Sequence, residues 1–174
     1  MDIADIHFTK VALKDVKKLQ EISKRTFNQT FASMNKPENL KFFLKFHYSA
    51  KKLSSEIQNP DSLFLFGQTS NEILGYLKLN RGNAQTVLPN DGGLEIERIY
   101  IDQSCLGMGI GQIFLGAAAK EAEKIEAAYI WLGVWEKNGP AIRFYKKNGF
   151  TQYSEHIFNL GDDPQTDLLM QRRV

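Results

Sequence analysis

The run Leu94-Glu95-Ile96-Glu97-Arg98-Ile99-Tyr100-Ile101, followed by Leu106-Gly107-Met108-Gly109-Ile110-Gly111, constrains this chain more than any other segment. It reads as a strand, a short loop and a glycine-rich turn that opens a helix. Glycines at alternate positions let the main chain reach positive φ and approach a ligand closely. A turn of this kind aims backbone N–H groups and the positive end of a helix at an anion. The expectation is a protein that holds a phosphorylated ligand.

The flanking pattern predicts the rest of the fold. His7 to Ala12 reads as a short strand, and Asp15 caps a helix running to Phe27 with Val16, Leu19, Ile22, Ser23 and Thr26 on one face. Asn28 to Ala32 is ambiguous. Pro37 opens a second helix, and Ala50 to Gln58 forms a third that stops before Pro60. Ser62 to Thr69 and Ile73 to Leu79 make a hairpin, and Asn80 to Gly93 is a polar loop. After the strand Leu94 to Ile101 come a helix from Ile110 to Ile125 and a strand from Ala128 to Val134 that is apolar on both faces. Asn138-Gly139-Pro140 opens a short helix with Lys146 and Lys147 in its last turn and Gly149 as its left-handed stop. Phe150 to Leu160 and Gln165 to Arg172 close the chain as two strands across Gly161-Asp162-Asp163-Pro164. This order predicts one α/β domain over residues 1–174, with a mixed, mostly antiparallel sheet, one β-α-β crossover and flanking helices.

Composition removes several function classes. A net charge of +2 is too small to point to nucleic acid or an anionic membrane. The single Cys105 rules out an internal disulfide and a cysteine-based zinc site, and His7, His47 and His156 lack metal-ligand spacing. The opening residues Met-Asp-Ile-Ala-Asp-Ile lack a basic region followed by an apolar run, and no apolar stretch spans a bilayer, so a cytoplasmic protein is expected.

The turn fits neither common nucleotide motif. A P-loop requires Gly-x-x-x-x-Gly-Lys-Ser/Thr, which is absent from the chain. A dinucleotide fingerprint has another glycine spacing and an acid at the end of the following strand. That strand ends here at Val134-Trp135, with Glu136 next. The strand, glycine turn, helix and strand, followed by Asn138-Gly139-Pro140-Ala141-Ile142-Arg143-Phe144-Tyr145-Lys146-Lys147-Asn148-Gly149-Phe150, resemble the GNAT superfamily of acetyl-CoA-dependent N-acetyltransferases over about residues 62 to 160. Within it the chain resembles the polyamine (spermidine/spermine) N-acetyltransferases of Gram-positive bacteria. That likeness rests on Thr26-Phe27-Asn28-Gln29-Thr30-Phe31, Pro37-Glu38-Asn39, the run from Leu94 to Ile101, Trp131 to Asn138, and Gly161-Asp162 with Gln165-Thr166-Asp167. The superfamily's turn usually begins with Gln or Arg, where this chain has Leu106. The often basic position before the second glycine is Met108.

The resemblance implies that coenzyme A binds with its pyrophosphate on the amides of Gly107, Met108, Gly109, Ile110, Gly111 and Gln112. Its pantetheine would lie beside Ile99, Tyr100 and Ile101, an open strand edge whose main-chain groups need partners. Asn138, Ala141 and Lys147 complete the expected cofactor site. Tyr145 matches the family's tyrosine and is the expected general acid, since a phenol of pKa ~10 can protonate a thiolate. The acceptor ammonium, of pKa ~10.4, must lose a proton before attack. Strict alternation puts Glu95, Glu97, Ile99 and Ile101 on one face of the strand, which makes Glu97 a candidate base, direct or through water. A carboxylate paired with a nearby Lys or Arg explains Glu97 equally well, and Glu95 is a second candidate. Cys105 reads as a small loop residue rather than a nucleophile.

For a polycationic acceptor the candidates are Phe31, Glu95, Glu97, Trp135 and Asp167. Asp162, Asp163, Phe27, Phe42 and Tyr48 are further candidates that a turn and a core explain at least as well. Two alternatives stand beside a polyamine. One is another amine, such as an amino sugar or a protein N-terminus; the other is a coenzyme-A-binding regulatory module with little turnover. A monomer or a homodimer is expected.

Overall fold

The computed structural model describes residues 5–87, 92–160 and 162–174. The opening tetrapeptide, the middle of the predicted polar loop and Gly161 of the predicted closing turn lie outside the described residues. The strands are β1 (His7–Lys10), β2 (Ser62–Gln68), β3 (Ile73–Asn80), β4 (Gly93–Ile101), β5 (Tyr129–Trp135), β6 (Thr151–Leu160) and β7 (Asp163–Arg173). The helices are α1 (Val16–Phe31), α2 (Pro37–His47), α3 (Ala50–Gln58), α4 (Ile110–Lys124) and α5 (Gly139–Lys147). They flank one sheet of order β1-β2-β3-β4-β5-β7-β6. Every neighbouring pair is antiparallel except β4–β5, the two strands that α4 joins. The mixed sheet with one crossover is as predicted. Among the described residues no helix is long and apolar enough to cross a membrane, and no cluster of metal-ligating side chains occurs.

Two cores sandwich the sheet. On one face Leu77, Leu94, Ile96 and Ile130 pack against Ile110 and Phe114 of α4 and Tyr145 of α5. On the other, Phe64, Phe66 and Tyr76 pack against Leu19, Phe27, Leu40 and Leu53 of α1, α2 and α3. Phe27 and Tyr48, two suggested substrate-wall residues, belong to this second core, whereas Phe42 is an exposed residue of α2. The ambiguous segment after Phe27 continues α1 to Phe31. Asp15 precedes α1 without a side-chain capping bond to it; its carboxylate instead accepts from the Ala12 amide at 3.2 Å.

Two departures from regular pairing shape the site. The first is that β4 and β5 pair only over Gly93–Glu95 and Tyr129–Trp131. Beyond Glu95 and Trp131 they part, while β4 stays paired to β3 as far as Ile101 and β5 to β7 as far as Trp135. The parting exposes two strand edges inside the sheet, whose free N–H and C=O groups suit an extended ligand.

The second departure is a β-bulge. Lys78 pairs with Arg98 and Leu79 with Ile96, which leaves Glu97 as an extra residue. The predicted alternation through Glu95, Glu97, Ile99 and Ile101 is therefore corrected. Ile96, Ile99 and Ile101 belong to the α4 side, while Arg98 and Tyr100 lie on the helix α1–α3 side with the Glu97 carboxylate.

Candidate active site

A cleft of about 680 Å³ occupies the parting of β4 and β5. Ile96, Glu97, Ile99, Tyr100 and Ile101 form one wall and Gly133, Val134 and Trp135 the other. The turn before α4 closes one end, α5 contributes Pro140, Ala141, Phe144 and Tyr145, and Thr30 and Phe31 approach from α1. A shallower polar hollow of about 580 Å³ lies away from this parting, between α1 and the β2–β3 turn.

The glycine turn divides its work among its residues. Gly107 and Gly109 both hold φ of +79°, where a side chain would strain the backbone. Gly111 is helical, and a Cβ there would come within 3.0 Å of Phe144 Cζ, so its smallness lets α5 pack on α4. The amides of Gly107, Met108, Gly109, Ile110 and Gly111 find no acceptor among the described residues. They stand at the N-terminus of a 15-residue helix. Such a row of donors with a helix dipole behind it fits a pyrophosphate. The side chains contribute less. Leu106 is 61% exposed, Met108 does not line the cleft, and Ile110 is buried in the core, so Met108 and Ile110 could serve only through their amides.

The other expected cofactor residues, Ile99, Tyr100, Ile101, Gly107, Gly109, Gly111, Gln112, Asn138, Ala141, Tyr145 and Lys147, all line the cleft. Asn138 does so while capping α5, its Oδ1 accepting from the Ala141 amide at 3.2 Å. Tyr145 packs edge-on against Phe144 and Phe150. Its hydroxyl has no partner among the described residues, and burial pushes its pKa above the ordinary phenol value. A phenol so placed keeps its proton until a strong base forms beside it.

Glu97 and Asp167 have opposite surroundings. Lys78 Nζ lies 2.5 Å from Glu97 Oε2, Arg98 Nη2 3.0 Å from Oε1, and Asn80 Nδ2 donates to Oε2 at 2.6 Å. Glu56 of α3 completes the cluster, taking both Arg98 nitrogens at 2.9 and 3.0 Å and Lys78 at 3.1 Å. Burial opposes ionisation of Glu97, but Arg98 and Lys78 outweigh it and hold the carboxyl below the usual carboxylate range. A base so stabilised in its charged form is a weak proton acceptor. Glu95, 2% exposed, does not line the cleft. It accepts from the Thr86 amide and Asn80 Nδ2, each at 3.0 Å, and from the Thr86 hydroxyl. Burial raises its pKa despite those bonds.

The Asp167 carboxylate has no hydrogen bond or ion pair among the described residues. Burial pushes its carboxyl up, against an opposing pull from His156. It is not a lining residue, but it lies beside Gly133, which is. Of the other acceptor candidates, Phe31 and Trp135 line the cleft and meet edge-on with ring centroids 6.1 Å apart. Asp162 is exposed and bonded to Asn39 at 2.8 Å, and Asp163 accepts from Gln165 at 2.9 Å. The sequence reading left Thr30, Ile96, Leu106, Gly133, Val134, Pro140, Phe144 and Asn148 out of the site, and it gave Cys105, buried at the turn, no contact with it. One signal for the second wall was visible: a glycine at 133 inside an otherwise bulky strand.

An open strand edge that ends at five unpaired helix-N-terminal amides defines a fold class, and comparison with known proteins identifies it. Residues 18–150 match the Acetyltransferase (GNAT) family, and the chain belongs to that family. It is an N-acetyltransferase that draws its acetyl group from acetyl-CoA. An uncharacterized N-acetyltransferase of Lactobacillus delbrueckii subsp. lactis is 40% identical over 169 residues, 97% of this chain and 98% of its own. A spermidine N(1)-acetyltransferase of Thermoplasma acidophilum is 25% identical over 172 residues, 97% of each chain. The crystal structure of the PaiA N-acetyltransferase of Thermoplasma acidophilum in complex with coenzyme A superposes with a TM-score of 0.79 at 24% identity, covering 97% of this chain and 99% of that one.

Proposed function

We propose that the protein transfers acetyl from acetyl-CoA directly to a primary amine of a small polyamine such as spermidine or spermine. The observation that carries the acceptor class is the pairing of two aromatic rings, Phe31 and Trp135, with a carboxylate, Asp167, that has no hydrogen bond or ion pair among the described residues. Alkylammonium chains are recognised by aromatic faces and carboxylates together. The spermidine acetyltransferase relative supports the same acceptor.

The turn amides from Gly107 to Gly111 hold the cofactor's pyrophosphate, and the β4 edge at Ile99–Ile101 receives its extended arm. Bound there, acetyl-CoA supplies the acetyl group and a thiolate leaving group. Tyr145 gives its phenolic proton to that sulfur, and the proton that the attacking nitrogen sheds on becoming an amide restores the phenol. Burial keeps the proton on the ring oxygen, so the phenol is present in its donor form when the sulfur develops charge. Glu97 holds the bulged wall of β4 in place through Lys78, Arg98 and Asn80.

Radiolabelled acetyl-CoA offered with a panel of spermidine, spermine, amino sugars and peptide N-termini tests the acceptor. Label on spermidine or spermine is expected. Label only on another amine would defeat the polyamine reading while leaving the transferase intact.

A further inference from the structure

Gly133 interrupts a strand of large side chains. It is exposed, while Leu132 and Val134 on either side are buried. Alternation along β5 puts Trp131, Gly133 and Trp135 on one face. The missing side chain therefore leaves a notch between two indoles. Trp135 is held by Phe31 of α1, and Trp131 Nε1 donates to Gln85 Oε1 at 2.5 Å. A Cβ placed at residue 133 would lie 3.5 Å from Asp167 Oδ2, so the Asp167 carboxylate borders the notch. Asp167 is the cross-strand partner of Trp135 on one side and of His156 on the other.

The notch lies two residues beyond Trp131, the last residue of β5 paired to β4, and so at the start of the cleft. Two carboxylates border this region. Glu97 is charge-paired with Lys78 and Arg98; the Asp167 carboxylate has no ion pair among the described residues. A half-buried carboxylate without a donor is costly unless a ligand supplies one.

We propose that the acceptor ammonium sits in the notch over Gly133 and that Asp167 takes its proton before attack. This rests on the amine-acceptor reading above and assigns its base. In the step, one N–H bond of the ammonium breaks and its electron pair stays on nitrogen. The proton bonds to a carboxylate oxygen of Asp167, so one positive and one negative charge vanish together. After product leaves, the proton passes to water. Annihilating a charge pair beside Asp167 costs less than moving a proton to Glu97, which would leave Lys78 and Arg98 to share the one carboxylate of Glu56. The titratable groups facing Asp167 are His156 from β6 and Tyr100 from β4; β5 presents Gly133 and the indoles, and α1 presents Phe31. Burial pushes the Tyr100 phenol well up, so Tyr100 stays neutral beside Asp167.

The test is the pH dependence of kcat/KM in wild type, Asp167→Asn, Asp167→Glu and Gly133→Ala, each with the amine that the wild type acetylates fastest in the panel. Should that amine not be a polyamine, the acceptor reading falls and the Asp167 test still runs. Asp167→Asn is expected to lower the rate at neutral pH by ~10²–10⁴-fold. The loss shrinks at alkaline pH, where free amine is supplied by solvent, and Asp167→Glu restores part of it. Gly133→Ala, whose Cβ meets only ordinary contacts at 3.5 Å and beyond, keeps the melting temperature and raises KM for the amine. Without acetyl-CoA, the carboxyl ¹³C resonance of wild-type Asp167 should move when the amine is added. A folded Asp167→Asn with wild-type rate and pH profile, or a wild-type Asp167 resonance indifferent to the amine, overturns the proposal.

Discussion

The two walls of the cleft are built from different materials. The wall at the glycine turn is main chain: five amides with no acceptor among the described residues, presented by two residues at positive φ. The wall where the acceptor is proposed to bind is side chain: Phe31 and Trp135 line the cleft there, and the Asp167 carboxylate lies behind Gly133. A backbone site depends on conformation and tolerates varied side chains, which is how Leu106 and Met108 can stand where the family often has polar or basic residues. A side-chain site depends on charge balance, so the proposal gives its two carboxylates different tasks. Glu97, in its cage of Lys78 and Arg98, is assigned to structure, and Asp167, whose carboxylate has no ion pair among the described residues, to chemistry.

Four substitutions would break or sharpen this contrast. The largest effect belongs to Tyr145→Phe, which deletes a hydroxyl without an internal partner. Its kcat should fall ~10²–10⁴-fold while coenzyme A affinity, measured by calorimetry, is unchanged. Glu97→Gln leaves Lys78 and Arg98 to share the one carboxylate of Glu56 and should cost about 3–5 kcal/mol of stability, read from denaturant unfolding. Its pH signature follows from the lowered carboxyl. The stabilisation by wild-type Glu97 is complete above the ordinary carboxylate range and is lost as pH falls through the lowered value. Melting temperatures of the variant should lack that acid limb.

Gly109→Ala forces a side chain to φ of +79° and should cost ~1–2 kcal/mol in stability. It should also weaken coenzyme A several-fold by turning the amides, whereas amine binding stays the same. Leu106→Arg adds an exposed charge beside the turn, worth ~0.2–1 kcal/mol of coenzyme A affinity, an increment that salt should abolish. A large gain would mean that side chains, not amides, dominate that wall.

The backbone wall was legible in the sequence because its determinants are local. Alternate glycines, a helix opening at Asn138-Gly139-Pro140 and a stop at Gly149 each act within a few residues, and the structure has the turn, the helix start and the left-handed glycine at those positions. The side-chain wall was legible only in pieces. Alternation along β4 hid the bulge, since an extra residue at Glu97 shows itself only through its pairing with β3. The cage around Glu97 draws Glu56 from α3 and Lys78 from β3, contacts that no spacing within β4 reveals. Asp167 stands out by what fails to pair with it, a property of the folded chain alone. Gly133 was readable as an oddity in a bulky strand, but its meaning depended on the strand that carries Asp167.

Backbone amide and indole shifts in a ¹⁵N spectrum, followed while coenzyme A and then spermidine are added separately, test the division most directly. Coenzyme A should move the amides from Gly107 to Gly111, and spermidine should move Gly133 and the Trp135 indole. Coenzyme A that binds without moving the turn amides, or two ligands that move the same residues, would contradict the account.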